Sequence, residues 1–251
     1  MDPVLARRIE DASLRAWPAL EVQSLDGWEL RSSAGFTKRA NSVQPLGPST
    51  QPLSEKVAGC EAWYAARDLP TIFRLTSFSD PNLDSFLESR AYEVIDLTDV
   101  LYTRLPLAEA YPANADIAEL SLDDWVATYG VLSGADESTL TPMRGILDAC
   151  QEARFLAALS SESSRDLIAC GLAVLETDVL GIFDVVTALP HRRRGYGAGL
   201  VGGLVGWGLA RGADYAYLQV VKTNAPALAL YRKLGFAQAY EYWYRIRAGA
   251  G

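Results

Sequence analysis

One histidine, His191, stands in 251 residues, and that scarcity removes several mechanisms at once. A metal site with two or more histidines cannot be built. A Ser-His-Asp triad would have to use a histidine adjoining Arg192, Arg193 and Arg194, and no G-x-S-x-G turn is present to carry the serine. Cysteine is also sparse. Cys60, Cys150 and Cys170 are odd in number and widely spaced, with no C-x-x-C, so neither a disulfide framework nor a zinc site is indicated and buried thiols are expected. Basic residues are in deficit, 23 Lys and Arg against 31 Asp and Glu for a formal net charge of -8. That balance excludes a nucleic-acid surface as the main partner. No apolar run approaches the roughly 18 residues that span a bilayer, residues 167–175 and 199–210 being the longest, so no membrane partner is expected. The opening Met-Asp-Pro-Val-Leu-Ala-Arg-Arg lacks the charge, apolar core and cleavage site of a signal peptide. A cytoplasmic location is expected.

What is present is hydrophobic residue in quantity, 49% of the chain, enough for one large domain or two small ones. Two domains are expected. Against the acidic balance, the stretch His191-Arg-Arg-Arg-Gly-Tyr-Gly-Ala-Gly199 stands out as a local anion cradle. An apolar run from Leu180 to Thr187 precedes it and a small-residue segment from Gly197 to Ala210 follows, which places it in a strand-to-helix turn. The first amides of a helix lack partners and carry the positive end of its dipole, and glycine lets a phosphate approach them. Arg192, Arg193 and Arg194 add mobile positive charge. A plain glycine-rich turn remains the competing account. A G-x-G-x-x-G spelling over Gly197–Gly202 invites a dinucleotide reading, but the next strand-like run, Tyr215 to Val221, ends in Lys222-Thr223-Asn224 where that fold needs an acid.

Periodicity and breakers outline the rest. Residues 2–17 read as an amphipathic helix, 27–33 and 36–43 as a strand pair, 44–54 as a proline-rich loop, 53–67 as a helix, 71–77 as a strand, 82–89 as a helix and 94–105 as a strand. Residues 105–114 carry two prolines and no sustained periodicity, and serve as the linker between domains at 1–108 and 113–251. Beyond it come a strand at 117–120, a helix from 122 capped by Ser121, and a second helix from Pro142, suited to a first helical turn. A three-strand meander at 155–159, 167–175 and 179–187 follows, then helix 197–210, strand 215–221, helix 225–234 and strand 238–247. Leu69–Tyr92 laid on Ala213–Phe236 without a gap matches element to element, with Asp80 on Asn224 and Leu87 on Tyr231. Two related halves are expected, the first without the cradle.

The spacing Arg192-x-x-Gly195-x-Gly197, followed by Asn224-Ala-Pro-Ala-Leu-Ala-Leu-Tyr231 and Gly235-Phe236, resembles the two sequence motifs of the GNAT N-acetyltransferase superfamily. The words Gly-Trp-x-Leu-Arg and Gly-x-Thr-Lys-Arg-Ala-Asn-Ser-Val resemble an amino-terminal domain that precedes such a module in bacterial proteins. The resemblance implies a mixed α/β fold in which helices flank a sheet, with a GNAT-like carboxy-terminal domain after a smaller, degenerate GNAT-like domain. It implies acetyl-CoA as co-substrate, no metal, and a primary amine of a small molecule or peptide as acceptor. A second copy, in a homodimer, is a candidate partner.

The resemblance also distributes roles. Val185, Val186 and Thr187 would bond the pantetheine arm through backbone groups, with ordinary strand pairing as the alternative. Arg192, Arg193, Arg194, Gly195, Tyr196, Gly197, Ala198 and Gly199 would cradle the diphosphate, and Asn224 would lie beside it. Tyr231 would donate a proton to the leaving thiolate; without the resemblance it reads equally as a helix residue packing on the sheet. For a base, Asp184 is charged within an otherwise apolar strand, where a carboxylate is costly without a partner, and Glu176 is the second choice. Tyr240, Tyr242, Trp243 and Tyr244 would line an acceptor pocket or simply pack. A catalytically silent acyl-CoA sensor is the alternative function.

Overall fold

A computed structural model describes residues 2–47, 49–107, 117–150, 153–160 and 167–247. From 108 onward the expected linker lies outside them. The chain forms two compact units, and neither is a single stretch of sequence: residues 1–18 join 100–239, and 19–99 join 240–251. This grouping differs from the expected domains 1–108 and 113–251, whose meeting point lies outside the described residues. Helix α1 (Pro3–Ala16) buries Ala6, Ile9, Ala12 and Ala16, positions three or four apart on one stripe. Trp17 meets Phe183 at 5.9 Å, Arg8 pairs with Asp178, and Arg15 pairs with Glu176 at 2.9 Å. These contacts fasten the first helix to the later unit.

In that unit the strands lie in the order β5 (Tyr92–Arg104, of which residues 100–104 belong here), β10 (Tyr215–Val221), β9 (Val179–Thr187), β8 (Leu167–Glu176), β7 (Ala153–Ser160), β6 (Ile117–Glu119). Pairs β6/β7, β7/β8 and β8/β9 are antiparallel and β9/β10 is parallel. The parallel step requires a crossover, which helix α6 (Tyr196–Leu209) supplies. It buries Leu200, Val201, Leu204 and Val205 in a core shared with Leu180, Ile182, Leu218 and Leu228. Helix α4 (Leu122–Ser133) begins as expected, Ser121 Oγ accepting from the Asp124 amide at 3.1 Å. Helix α5 is a correction. It runs Glu137–Ala149, with Asp136 as its cap and Pro142 inside it; the cap's bond to the Thr139 amide starts the helix a turn before the proline.

The other unit orders its strands β1 (Glu21–Leu25), β2 (Trp28–Ser32), β3 (Val43–Pro45), β4 (Ile72–Thr76), β11 (Ala237–Arg247). Pairs β1/β2, β2/β3 and β4/β11 are antiparallel and β3/β4 is parallel. Helices α2 (Leu53–Ala65) and α3 (Pro81–Ser89) flank it, and Trp28, Leu30, Tyr64, Phe73, Leu75 and Leu87 form its core. The expected strand at 36–43 is instead a loop wound on Asn41. The Asn41 side chain accepts from the Ser33 and Gly35 amides at 2.7 and 2.9 Å and donates to the Phe36 and Thr37 carbonyls at 2.5 and 2.9 Å. A side chain that satisfies four backbone groups removes the need for a strand partner. That is the physical content of the Arg-Ala-Asn-Ser word.

Several elements of the two stretches correspond under one constant shift. A constant shift of 144 residues carries Pro81 to Ala225 and Ser89 to Lys233, the two ends of α3 and of α7 (Ala225–Lys233). The caps Asp80 and Asn224 correspond, each accepting from an amide of its own helix. Ala91 and Gly235, both left-handed at φ 61° and 88°, correspond as well. The same shift lays α2 on α6. What breaks the linear order is the strand after each short helix: β5 leaves α3 to end beside β10, and β11 leaves α7 to pair with β4. Arg245 on β11 holds both oxygens of Asp84 on α3 at 2.8 Å, a bidentate pair.

Candidate functional site

The site is shaped first by a fault in pairing. Ala169 opposes Thr187 and Cys170 opposes Val186, but the next pair is Leu172 with Phe183, so Gly171 alone faces Asp184 and Val185. This is a β-bulge, and Asp184 takes the extra residue's strain at φ 49°. Gly171 is packed closely there: an added Cβ would stand 3.3 Å from both Val185 Cγ2 and Leu200 Cδ2, which would have to shift by a few tenths of an ångström. Buried Trp125 donates to the Gly171 carbonyl at 3.0 Å and fixes the bulge. Among the described residues, parallel pairing of β9 with β10 then covers only Val179–Ile182 against Tyr215–Leu218. Past it the strands part. The Ala188 amide donates to Ile168 at 2.9 Å, and backbone groups alternate sides along a strand, so those of Val185 and Thr187 face the opening. Arg192 Nε donates to the Thr187 carbonyl at 3.0 Å.

Beside this opening the chain turns through Leu189–His191 and a left-handed Arg193 (φ 61°) into Gly195, the cap of α6 at φ 88°. Only glycine holds that angle without steric cost. No side chain caps α6, and its first intrahelical bond runs from the Gly199 amide to Gly195 at 3.0 Å. The amides of Tyr196, Gly197 and Ala198 precede it and form the positive end of the helix. A Cβ on Gly197 would lie 3.5 Å from Leu230 and 3.6 Å from Thr187 Oγ1. Both distances are ordinary contacts, so packing does not require glycine at 197.

A cleft of about 460 Å³ joins the two features. Of the residues expected at a cofactor, it is lined by Val185, Val186, Thr187, Arg192, Arg193, Gly195, Tyr196, Gly197, Ala198 and Asn224, together with Tyr231. Arg194 is exposed beside it and Gly199 is buried in the helix; neither is on the wall. His191, the first residue of the expected cradle stretch, also lines it, and Pro226, Ala227 and Leu230 line it without having been singled out. Leu230, next to Tyr231 at the end of an apolar run, had a signal that could have found it. His191 meets the Tyr196 ring edge-on at 6.0 Å. Asn224 caps α7, accepting from the Ala227 amide at 3.2 Å.

Tyr231 is 7% exposed, its ring edge-on to Phe236 at 6.0 Å. Burial, and then the negative charge of Asp184, push its phenol up to about 12. The same two causes push the Cys170 thiol up to about 12. Asp184 is thus electrostatically coupled to the cleft, although it does not line it. Glu176 is committed to Arg15. The four aromatics of β11 serve packing: Tyr240 lies 5.0 Å from Phe78, Tyr242 lies 5.5 Å from Tyr244 and under the Arg74 guanidinium, and Trp243 donates to Asp84. Among the described residues no group of His, Cys, Asp and Glu is placed to hold a metal, and no helix is long and apolar enough to cross a membrane.

A helix-flanked mixed sheet, with two parallel strands parting beside a glycine-led helix N-terminus, defines the GNAT N-acetyltransferase class, and the chain is an enzyme of that class. Within it, the chain belongs to the family described as probable histone acetyltransferase Rv0428c C-terminal, whose model matches residues 5–245. It is 27% identical over 248 residues to the uncharacterized N-acetyltransferase YobR of Bacillus subtilis (strain 168), covering 96% of this chain and 98% of the relative. It is 29% identical over 231 residues to the probable histone acetyltransferase Rv0428c of Mycobacterium tuberculosis, covering 92% and 70%. A GCN5-related N-acetyltransferase from Kribbella flavida shares the fold at a TM-score of 0.72 and 18% identity, over 98% of this chain and 96% of that one. A tandem GNAT protein from the clavulanic acid biosynthesis pathway does so at 0.66 and 15%, over 84% and 75%.

Proposed function

We propose that this acetyltransferase is acetyl-CoA-dependent and acts on a primary amine of a small molecule or a peptide. One observation carries the reading: a single cleft combines open strand edge, uncapped helix amides, arginines and a buried, protonated phenol. The residues fit the co-substrate, since the Gly197 position keeps open the space between Thr187 and Leu230 that a side chain would enter. Acetyl-CoA supplies an acetyl group activated as a thioester. The amides of Tyr196, Gly197 and Ala198, with Arg192 and Arg193, hold the diphosphate, and Arg194 adds long-range attraction from outside the wall. Val185 and Thr187 offer backbone groups to the pantetheine arm. An N–H aimed at the thioester carbonyl contributes about 3 to 4 kcal/mol to such reactions.

Tyr231 Oη keeps its proton throughout the neutral range because its pKa is raised to about 12. A free thiol has a pKa of about 8.5, below that of the phenol, so transfer is uphill in isolation and proceeds through hydrogen bonding to the departing sulfur or in concert with thioester cleavage. Asp184, near enough to act on Tyr231 electrostatically, is the group proposed to take the proton of the ammonium. Residues 19–99, which share element order and the 144-residue shift with the later unit, are read as a degenerate GNAT-like half.

The test is thiol release from acetyl-CoA with a panel of primary amines, comprising amino sugars, polyamines and lysine peptides. Amine-dependent release supports the reading. Saturable acetyl-CoA binding with no release for any amine favours the silent sensor.

A further inference from the structure

His191 is the only histidine in the chain, and histidine is the side chain that changes charge between about pH 5 and 8. It ends the short turn Leu189–His191, where Pro190 restricts the backbone and the His191 amide donates to the Ala188 carbonyl at 2.9 Å. The residue stands on the cleft wall with Arg192, Arg193 and Gly195, and its ring meets that of Tyr196 edge-on at 6.0 Å. Tyr196 opens α6. The imidazole is thus set beside the helix end that favours an anion.

A histidine kept for structure commonly gives a ring nitrogen to a carboxylate or a backbone carbonyl. His191 does not do so through Nδ1, which is enclosed and has no hydrogen-bond partner in the protein. The charges sharing the wall with it are of one sign. Among the described residues lining the cleft, the turn contributes Arg192 and Arg193, α6 the phenol of Tyr196, α7 the phenol of Tyr231, and β9 no titratable group. No carboxylate is on the wall, and Asp184 of β9 lies off it. An anion entering the cleft therefore meets three side chains able to carry positive charge. Of these only the imidazole can gain its charge in response, because a guanidinium is charged throughout.

We propose that His191 is a further ligand of the diphosphate, and that its imidazole gains a proton from solvent as the anion binds. This assignment rests on the reading above that residues 192–199 hold the diphosphate of acetyl-CoA. No covalent bond to the ligand changes: neutral imidazole, a proton and the anion become an imidazolium–phosphate pair. A group that holds its proton more tightly in the complex makes binding tighter at low pH, and that gain is lost as pH rises through the midpoint of the complex.

The probe is 3′-dephospho-CoA, which keeps the diphosphate and the pantetheine arm but lacks the phosphate monoester, a group that itself titrates near pH 6. With one histidine in the chain, the imidazole Cε1–H signal of the full-length protein is unambiguous in proton NMR. Its shift is followed from about pH 5 to 9 with and without saturating probe. The midpoint is expected to rise by about one unit in the complex, equivalent to binding about tenfold tighter at the acid end than at the alkaline end. Calorimetric titration at both ends is expected to show that preference in the wild type and to lose it in His191→Gln, whose amide can donate a hydrogen bond but cannot take up the proton. A midpoint that stays in place or falls in the saturated complex overturns the proposal. So does an equal pH preference in the two folded proteins. The NMR measurement needs no variant, so it decides the matter even if His191→Gln does not fold. A wild type that fails to bind the probe rejects the cofactor reading itself, and the role of His191 with it.

Discussion

Gly197→Asp is expected to move stability and cofactor affinity in opposite directions, which makes it a sharp test of the cradle. The new Cβ meets Leu230 and Thr187 at 3.5 and 3.6 Å, so the fold accommodates it without a clash. Residue 197 is the second residue of α6, where an acidic side chain gains about 0.3 to 1 kcal/mol from the helix dipole. Replacing a helical glycine by Asp adds only about 0.3 kcal/mol, since Asp is itself a weak helix former. The folded protein should therefore melt no lower than the wild type. At a bound diphosphate the same carboxylate is a like charge. Taking about 5 Å separation and an effective dielectric between 20 and 80, repulsion is about 1 to 3 kcal/mol, or roughly 5- to 150-fold in affinity. Calorimetric titration with acetyl-CoA reads the affinity and a thermal melt reads the fold, with Lys222→Ala, whose residue lies off the cleft wall, as the comparison. A folded Gly197→Asp protein that binds acetyl-CoA as tightly as Lys222→Ala removes the cradle from the mechanism.

Tyr231→Phe keeps the ring against Phe236 and should leave acetyl-CoA affinity within about twofold, while the single-turnover rate falls about 10²- to 10⁴-fold, the usual cost of a positioned acid. An unchanged rate rejects Tyr231 as the donor. The same variant carries a pH signature. The folded phenol at about 12 lies above the unfolded value of about 10, so the unfolded chain loses this proton first. The stability contributed by the raised pKa is whole below pH 10 and is lost as pH rises to 12, by about 3 kcal/mol. Urea titrations across that window should show a shallower decline in Tyr231→Phe, and parallel curves count against the raised pKa. Asn41→Ala strands backbone groups of Ser33, Gly35, Phe36 and Thr37 and should cost about 3 kcal/mol in urea denaturation. A loss under about 0.5 kcal/mol would mean that the loop does not depend on Asn41.

The sequence by itself determined the parts whose causes are local. Arg-x-x-Gly-x-Gly after an apolar run dictates a left-handed cap at Gly195 and a free helix end. Ser121, Asp80 and Asn224 cap the helices that their own neighbours begin. The 144-residue repeat was legible because element lengths survive when residue identities do not. What it could not determine depends on partners distant in the chain. The bulge at Asp184 packs Val185 closely on Gly171, whose carbonyl Trp125 holds, and no pattern within 179–187 records either contact. Residues 36–43 read as a strand because alternation says nothing about which backbone groups an asparagine side chain will satisfy. The strands after α3 and α7 each pair in the other half's unit. Strand pairing depends on edge complementarity and not on order along the chain. Asp26, 30 residues before Lys56, meets that buried ammonium only when the first hairpin folds over the loop. Tertiary structure alone decides that contact.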